Sequence, residues 1–306
     1  VLLALEQTLN GIQFGVTLFL MAAGLTLVFG IMNLVNLAHG SLYMLGAYLA
    51  ATVYQRTGSF LAAVVLALAA TLVIGIAVEL VALRTLYERD HLDQVLATFG
   101  LILFFNEMVA IIWGRAAIYT KVPPWLAGHM EIVPGIRYPV YRALVIVVGL
   151  AVAGLLWLLV SRTRLGMLIR AGASNRTMVA ALGVNIRLLY TIVFGLGAAL
   201  AGLAGLMAGP IYAVQIGMGE QILIQVFVVI VIGGIGSIRG ALVGAVIVGM
   251  VDTLGRAFLR PALATVLSAS AADNAGSALA SMLIYILMAA VLFFRPQGLF
   301  AVAASR

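Results

Sequence analysis

The chain has 306 residues, 64% hydrophobic and 9% charged, with a formal net charge of +7 and a mean hydropathy of +1.20. A soluble fold, typically about 25% charged, could not hide so much apolar surface, so lipid must solvate much of it and the composition implies a polytopic integral membrane protein. The 17 Lys and Arg lie between apolar runs, which argues against nucleic-acid binding; the absence of cysteine excludes a disulfide framework or thiolate metal site and leaves the redox compartment undetermined.

A membrane span needs about 20 mostly apolar residues. The first such run is 9–30; Glu6 stands where a signal peptide would be basic, so no cleavable signal is expected. Asn33, Asn36 and His39 then recur every three residues, which places them on one side of any helix. Unpaired amides are costly in hydrocarbon, so these residues either face protein, water or a substrate, or form a surface loop that caps helix ends. Ser41, Tyr43 and Tyr48 follow on a second span, 37–54, rich in small residues.

Spans 60–83 and 94–113 each hold an acid. Glu79 lies about one and a half turns before Arg84, a spacing that favours an ion pair or snorkelling over a proton site. Glu107, beside Asn106, lies deeper and stays open. A span at 141–160 precedes the most basic segment, and 189–209 follows it. The latter carries Gly195, Gly197, Gly202, Gly205 and Gly209, which suit close helix packing. Residues 222–257 are too long for one ordinary helix and are read as two pieces around Gly233, Gly234, Gly236 and Gly240. That glycine run lacks the Lys–Ser/Thr of a nucleotide loop. The last span is 279–294, and the whole chain 1–306 reads as one transmembrane domain.

The basic segment 161–188 carries Arg162, Arg164, Arg170, Arg176 and Arg187 with no acid. Arginines beside spans stay in the cytoplasm, so this segment sets the orientation. By parity 114–139 is outside and 84–93 inside, although Arg115, Lys121 and Arg137 slightly outnumber Arg84 and Arg89 there. If 222–257 enters and returns, the tail 295–306 is cytoplasmic; a single crossing would put it outside, and the former is preferred. Within the segment, 173–183 reads as a short helix that Ser174 can cap and Gly183 can stop. Its apolar face of Met178, Val179, Ala181 and Leu182 suits a soluble partner or an anionic lipid surface.

A faint internal echo links Val28–Gly30, Asn33, Gly40 and Gly46–Ala47 with Val231–Gly233, Ser237, Gly240 and Gly244–Ala245. Such repeats place broken helices beside a substrate path in many transporters, although glycine-rich spans also resemble one another by chance. No nucleophile–base pair, paired carboxylates or metal spacing points to an enzyme; His39, His91 and His129 are far apart.

The run from Gly24 to Gly40 (GLTLVFGIMNLVNLAHG), followed by Met44–Tyr48 (MLGAY), resembles the branched-chain amino-acid ABC transporter permease family, LivH-type subunit. So do Val81–Arg84 (VALR) after Glu79, Ala97–Leu101 (ATFGL), Gly233–Ala241 (GGIGSIRGA) and Arg295–Phe300 (RPQGLF). The resemblance covers nearly the whole chain in order. It implies an all-α ABC importer permease fold of about eight transmembrane helices, with one or two broken or re-entrant, in the bacterial inner membrane. It implies branched-chain amino-acid import by ATP-driven alternating access, with no catalytic residue, metal or cofactor in this chain. The implied partners are a homologous LivM-type permease, two cytoplasmic ATPase subunits that bind the ATP, and a periplasmic amino-acid-binding protein facing 121–138; membrane lipid surrounds the chain and no nucleic acid is involved. Residues 170–185 would align with the segment that docks on the ATPases, with Arg170, Ala173, Ser174, Asn175, Arg176, Met178, Leu182 and Gly183 as contacts. The family's usual acidic start is replaced here by Ala173–Ser174. Asn33, Asn36, His39, Ser41, Tyr43 and Ser237 are the expected path residues. Two alternatives remain: the same architecture importing urea, short amides or other amino acids, and a stand-alone secondary transporter using Glu79 or Glu107.

Overall fold

Helices form wherever the sequence offers an apolar run without a breaker, and they end at the glycines, amides and prolines between runs. The computed structural model describes residues 2–87 and 89–300. Its helices are α1 (Leu2–Met32), α2 (His39–Thr57), α3 (Phe60–Val81), α4 (His91–Trp113), α5 (Val140–Arg162), α6 (Arg164–Ser174), α7 (Arg176–Ala181), α8 (Ile186–Ala208), α9 (Met218–Gly233), α10 (Ile238–Leu263) and α11 (Ala269–Phe294). An antiparallel hairpin, β1 (His129–Val133) with β2 (Ile136–Pro139), precedes α5. Among the described residues seven helices are long and apolar enough to cross a membrane, and α9 is a shorter apolar helix. Helix α2 is long enough at 19 residues but more polar. The all-α polytopic expectation therefore holds, and a helix covers each expected span, though the first and last helices begin earlier, at Leu2 and Ala269. The last helix starts ten residues earlier than the apolar run, and Asp273 in this added stretch pairs with Arg260 of α10.

Two ends of the bundle can be told apart from contacts alone. Helices α1 and α5 run parallel: Arg142 meets Asn10, and Gly149 meets Val16. Further on, Gly172 of α6 lies beside Ile31. Helix α10 runs antiparallel to α1, with Gly11 at Met250, Gly15 at Ala245 and Gly30 at Gly236. One end thus gathers Met32, α6, α7, the turn 234–237 and the segment 295–300, whose Leu299 and Phe300 amides donate to the Ile232 and Gly233 carbonyls. Two of the sequence's family-like runs meet there. Arg84, Arg89, Arg239 and Arg295 join the five arginines at this basic end, and the far end holds the β hairpin and the start of α1. Residues 301–306 of the tail lie outside the described residues.

The core is α1, α2, α8, α9 and α10, while α3, α4, α5 and α11 turn large apolar side chains outward. Without a hydrophobic drive between helices in lipid, small residues must let backbones approach. A Cβ at Gly46 of α2 would collide with the Gly202 backbone of α8, and one at Gly24 of α1 with Gly197. The small residues of α8 thus serve packing.

Two core helices begin inside the layer. The His39 ring lies against Gly24 of α1, eight residues or about 12 Å before the end of that helix. Residues 33–38 run back from the basic end to this depth without helical structure. Helix α9 has 16 residues, about 24 Å, which is short of a full crossing of roughly 30 Å. Its first turn meets the first turn of α2, where the Gly40 and Gly219 backbones touch. Irregular backbone at this depth survives only when protein or a cavity satisfies it. Gln94 does part of this: its Oε1 accepts from the Val35 amide at 3.3 Å, while its Nε2 donates to the Leu86 and Arg89 carbonyls at 3.2 Å.

The two halves of the internal echo are both helix–break–helix hairpins turning at the basic end: α1 into α2 around 33–38, and α9 into α10 around 234–237. Gly30 of one hairpin contacts Gly236 of the other.

Candidate functional site

Above the Gly40–Gly219 contact, a cavity of about 830 Å³ opens toward the far end between α1, α5, α9 and α10. Its wall is amide-rich. Gln7, Asn10 and Gln13 descend α1 at a spacing of three, and Gln221 and Gln225 lie one turn apart on α9. That periodicity keeps each set on one helix face. Charge comes from Arg142 in the first turn of α5 and from Asp252 and Arg256, one turn apart on α10. The Arg256 Nε and Nη2 each donate to Asp252 at 2.9 Å, a bidentate pair. Phe14 and Ile222 supply apolar wall, and Tyr43 of α2 with Met218 of α9 stands nearest the closed junction.

Of the path residues expected from the sequence, Tyr43 lines this cavity. Asn36, His39 and Ser41 are buried at the junction just beneath it, and their side chains have no hydrogen-bond partner among the described residues. They do not cap α2, whose N-cap is Ala38 without a side-chain bond. Asn33 is exposed at the basic end with φ 49°, a left-handed conformation that Asn tolerates. Ser237 caps α10, its Oγ accepting from the Gly240 amide at 3.0 Å. The structure therefore buries Asn36, His39 and Ser41 around the start of α2, with Tyr43 one turn further along at the cavity, and leaves Asn33 and Ser237 at the basic end. Sequence reading missed the cavity's amides and its charged trio. The signal was present: Gln7, Asn10 and Gln13 form a polar stripe in an otherwise apolar run, and Asp252 and Arg256 form an i,i+4 pair.

The acids have other roles. Glu79 is fully buried where α3 meets α8. It accepts from Arg84 at 3.3 Å, from the Thr191 hydroxyl at 2.7 Å and from the Tyr87 hydroxyl at 2.5 Å. The ion pair expected from spacing is present. Glu107 is exposed and accepts from Arg115 at 3.0 Å, while Asn106 donates instead to Glu220 of α9 at 2.5 Å.

At the basic end the arginine-rich segment is two helices rather than one. Thr163 caps α6, and Asn175 caps α7 by accepting from the Met178 amide at 2.9 Å. Ser174 is the last residue of α6, so the expected cap moves one residue along. Asn175 takes the role because its extended backbone, φ −153°, aims its carbonyl oxygen at the new helix. Gly183 ends the unit at φ 85°, as expected. Ile169, Gly172 and Val179 face the bundle, whereas residues 173–178 and Leu182 are exposed. Met178 and Leu182 therefore project apolar surface away from the core.

Comparison with known proteins identifies the family. Residues 7–292 match the family described as branched-chain amino acid transport system / permease component. The high-affinity branched-chain amino acid transport system permease protein BraD of Pseudomonas aeruginosa is 31% identical, over 96% of this chain and 95% of its own length. The corresponding permease LivH of Escherichia coli K12 is also 31% identical, over 83% of this chain and 87% of its own. The ribose import permease RbsC of Escherichia coli K12 is 26% identical over 76% and 72%. No solved structure matches the chain. The chain is a multi-pass membrane protein of the branched-chain amino-acid transport permease family and serves as an ABC importer permease.

Proposed function

We propose that this permease carries branched-chain amino acids into the cell as one of two permeases, with the polar cavity as its outer vestibule. The carrying observation is that cavity, which ends on the touching first turns of α2 and α9. The positive-inside rule puts the basic end in the cytoplasm and the cavity outside. The conformation is then open outward and closed inward. Separation of Gly40 from Gly219 would open the junction onto Asn36, His39 and Ser41, buried polar groups of the kind that mark intramembrane paths.

A periplasmic binding protein would deliver the amino acid to the hairpin side, and two ATPases would receive Arg170, Ala173, Ser174, Asn175, Arg176, Met178, Leu182 and Gly183. The exposure of 173–178 supports that docking role. This chain would hydrolyse no ATP and hold no cofactor. ATP would act by binding one state of the assembly more tightly than the other, the differential affinity any population shift requires. The α6–α7 unit is joined directly to α5 and α8, and Gly172 contacts Ile31, so a push on it would reach the base of α1. The stand-alone carrier reading loses support because Glu79 and Glu107 are each committed to an arginine.

The test is reconstitution with a homologous permease, two ATPases and a binding protein in proteoliposomes containing ATP. Leucine uptake that requires every component is expected. Ion-driven uptake by this chain alone would overturn the reading, and uptake of a neutral sugar in place of leucine would change the cargo.

A further inference from the structure

Arg142 stands out among the cavity's charges. Among the described residues the ion pairs are Arg84–Glu79, Arg115–Glu107, Arg256–Asp252 and Arg260–Asp273, and Arg142 belongs to none. Its Nη1 donates to the Asn10 amide oxygen at 2.5 Å, which fixes one edge of the guanidinium against α1. A guanidinium carries five donors in a planar fork matched to a carboxylate, so most of this one is unused. Arg142, Asp252 and Arg256 line the same cavity, together with Tyr212 on the loop between α8 and α9. The three charges sum to +1, which favours an anionic group, modestly because the cavity is open to water.

The wall around this trio is selective in kind. Asp252 of α10 shares the cavity wall with Arg142 of α5; its carboxylate gives two of about four acceptor sites to Arg256, and Phe14 and Ile222 add apolar surface. Cation, carboxylate and apolar wall together are the complement of a zwitterionic apolar amino acid. A neutral polyol would leave the guanidinium unmatched. The volume far exceeds one amino acid, so the cargo would sit there hydrated and loosely held, as transit requires.

We infer that Arg142 receives the α-carboxylate of an amino acid entering the cavity, with the ammonium group on the Asp252 side, making the vestibule a transient zwitterion site. The inference rests on the import reading above. It assigns the cavity a preference for amino acids that a binding protein alone would not impose.

Arg142→Gln keeps a donor for Asn10 while removing the charge, and Arg142→Lys keeps the charge without the fork. Both are placed in the complete assembly in proteoliposomes, and leucine uptake is read beside ATP hydrolysis stimulated by the loaded binding protein. Losing one charge-assisted contact should lower uptake by Arg142→Gln about tenfold. Stimulated hydrolysis, which reads docking of the loaded binding protein, should fall clearly less than uptake does. Arg142→Lys should retain clearly more uptake than Arg142→Gln. Unchanged uptake in Arg142→Gln, equal loss in both variants, or uptake and stimulated hydrolysis falling together would each overturn the site. Absence of leucine uptake by the unsubstituted assembly would instead overturn the import reading.

Discussion

Helices α1 and α5 are both apolar enough to span a membrane, yet 83% of the spanning window of α1 is buried against 17% of that of α5. Hydrophobicity does not make the difference, because lipid accepts an apolar side chain as readily as a protein core does. What differs is the surface each helix presents. Helix α1 offers Gly11, Gly15 and Gly24 to the backbones of α10 and α8, and carries the polar stripe of Gln7, Asn10 and Gln13. Helix α5 offers Val147, Leu150 and Leu155 to the outside and meets α1 at Gly149 and through the Arg142–Asn10 bond. Its other glycine, Gly154, has nothing near it, so a glycine alone does not draw a helix inward.

The contrast can be broken or sharpened by substitution. Gly46→Val should be the most damaging, because its side chain would enter the Gly202 backbone of α8. Overpacking of this kind costs about 3 kcal/mol or more, and thermal unfolding in detergent should show it. A stability within error of the parent would refute close approach as the cause of burial. Next, Glu79→Ala removes the acceptor for Arg84, Thr191 and Tyr87. Breaking a buried pair costs about 3–5 kcal/mol; Arg84 is 35% exposed, so screening brings the expected loss to about 2 kcal/mol. A loss no greater than that of an exposed pair such as Arg115–Glu107 would count against the network.

Gln94→Leu should follow, at about 1.5 kcal/mol, because it orphans the Val35 amide and two carbonyls. Hydrogen exchange at residues 33–38 should rise with it; unchanged protection there would mean that other contacts hold the break. Val147→Ala should be the mildest, within about 0.5 kcal/mol, since the side chain is 63% exposed on α5. A large destabilisation there would show that α5 is covered by a protein partner in the preparation rather than by detergent.

Spans, glycine breaks and the basic segment were legible in the sequence because each is a local signal of length, a breaker or a charge. The Glu79–Arg84 pair was legible for the same reason, lying five residues apart. The cap of α7 was misplaced by one residue because Ser174 and Asn175 are both good caps, and only the backbone turn between α6 and α7 chooses Asn175. The path residues were half legible. The three-residue spacing of Asn33, Asn36 and His39 was visible, but Asn33 is turned to the basic end by a positive φ while His39 enters the core.

Composition and order thus determined a multi-pass membrane chain, its helices and its basic end, since these follow from transfer free energies and charge along the chain. Only the tertiary structure decided which helices lie inside. It also decided that α2 and α9 begin at mid-depth and meet at Gly40 and Gly219, and that Arg142, Asp252 and Asn10 surround one cavity. Those outcomes depend on which backbones can approach and on side chains more than a hundred residues apart, and neither is written in any local stretch of the sequence.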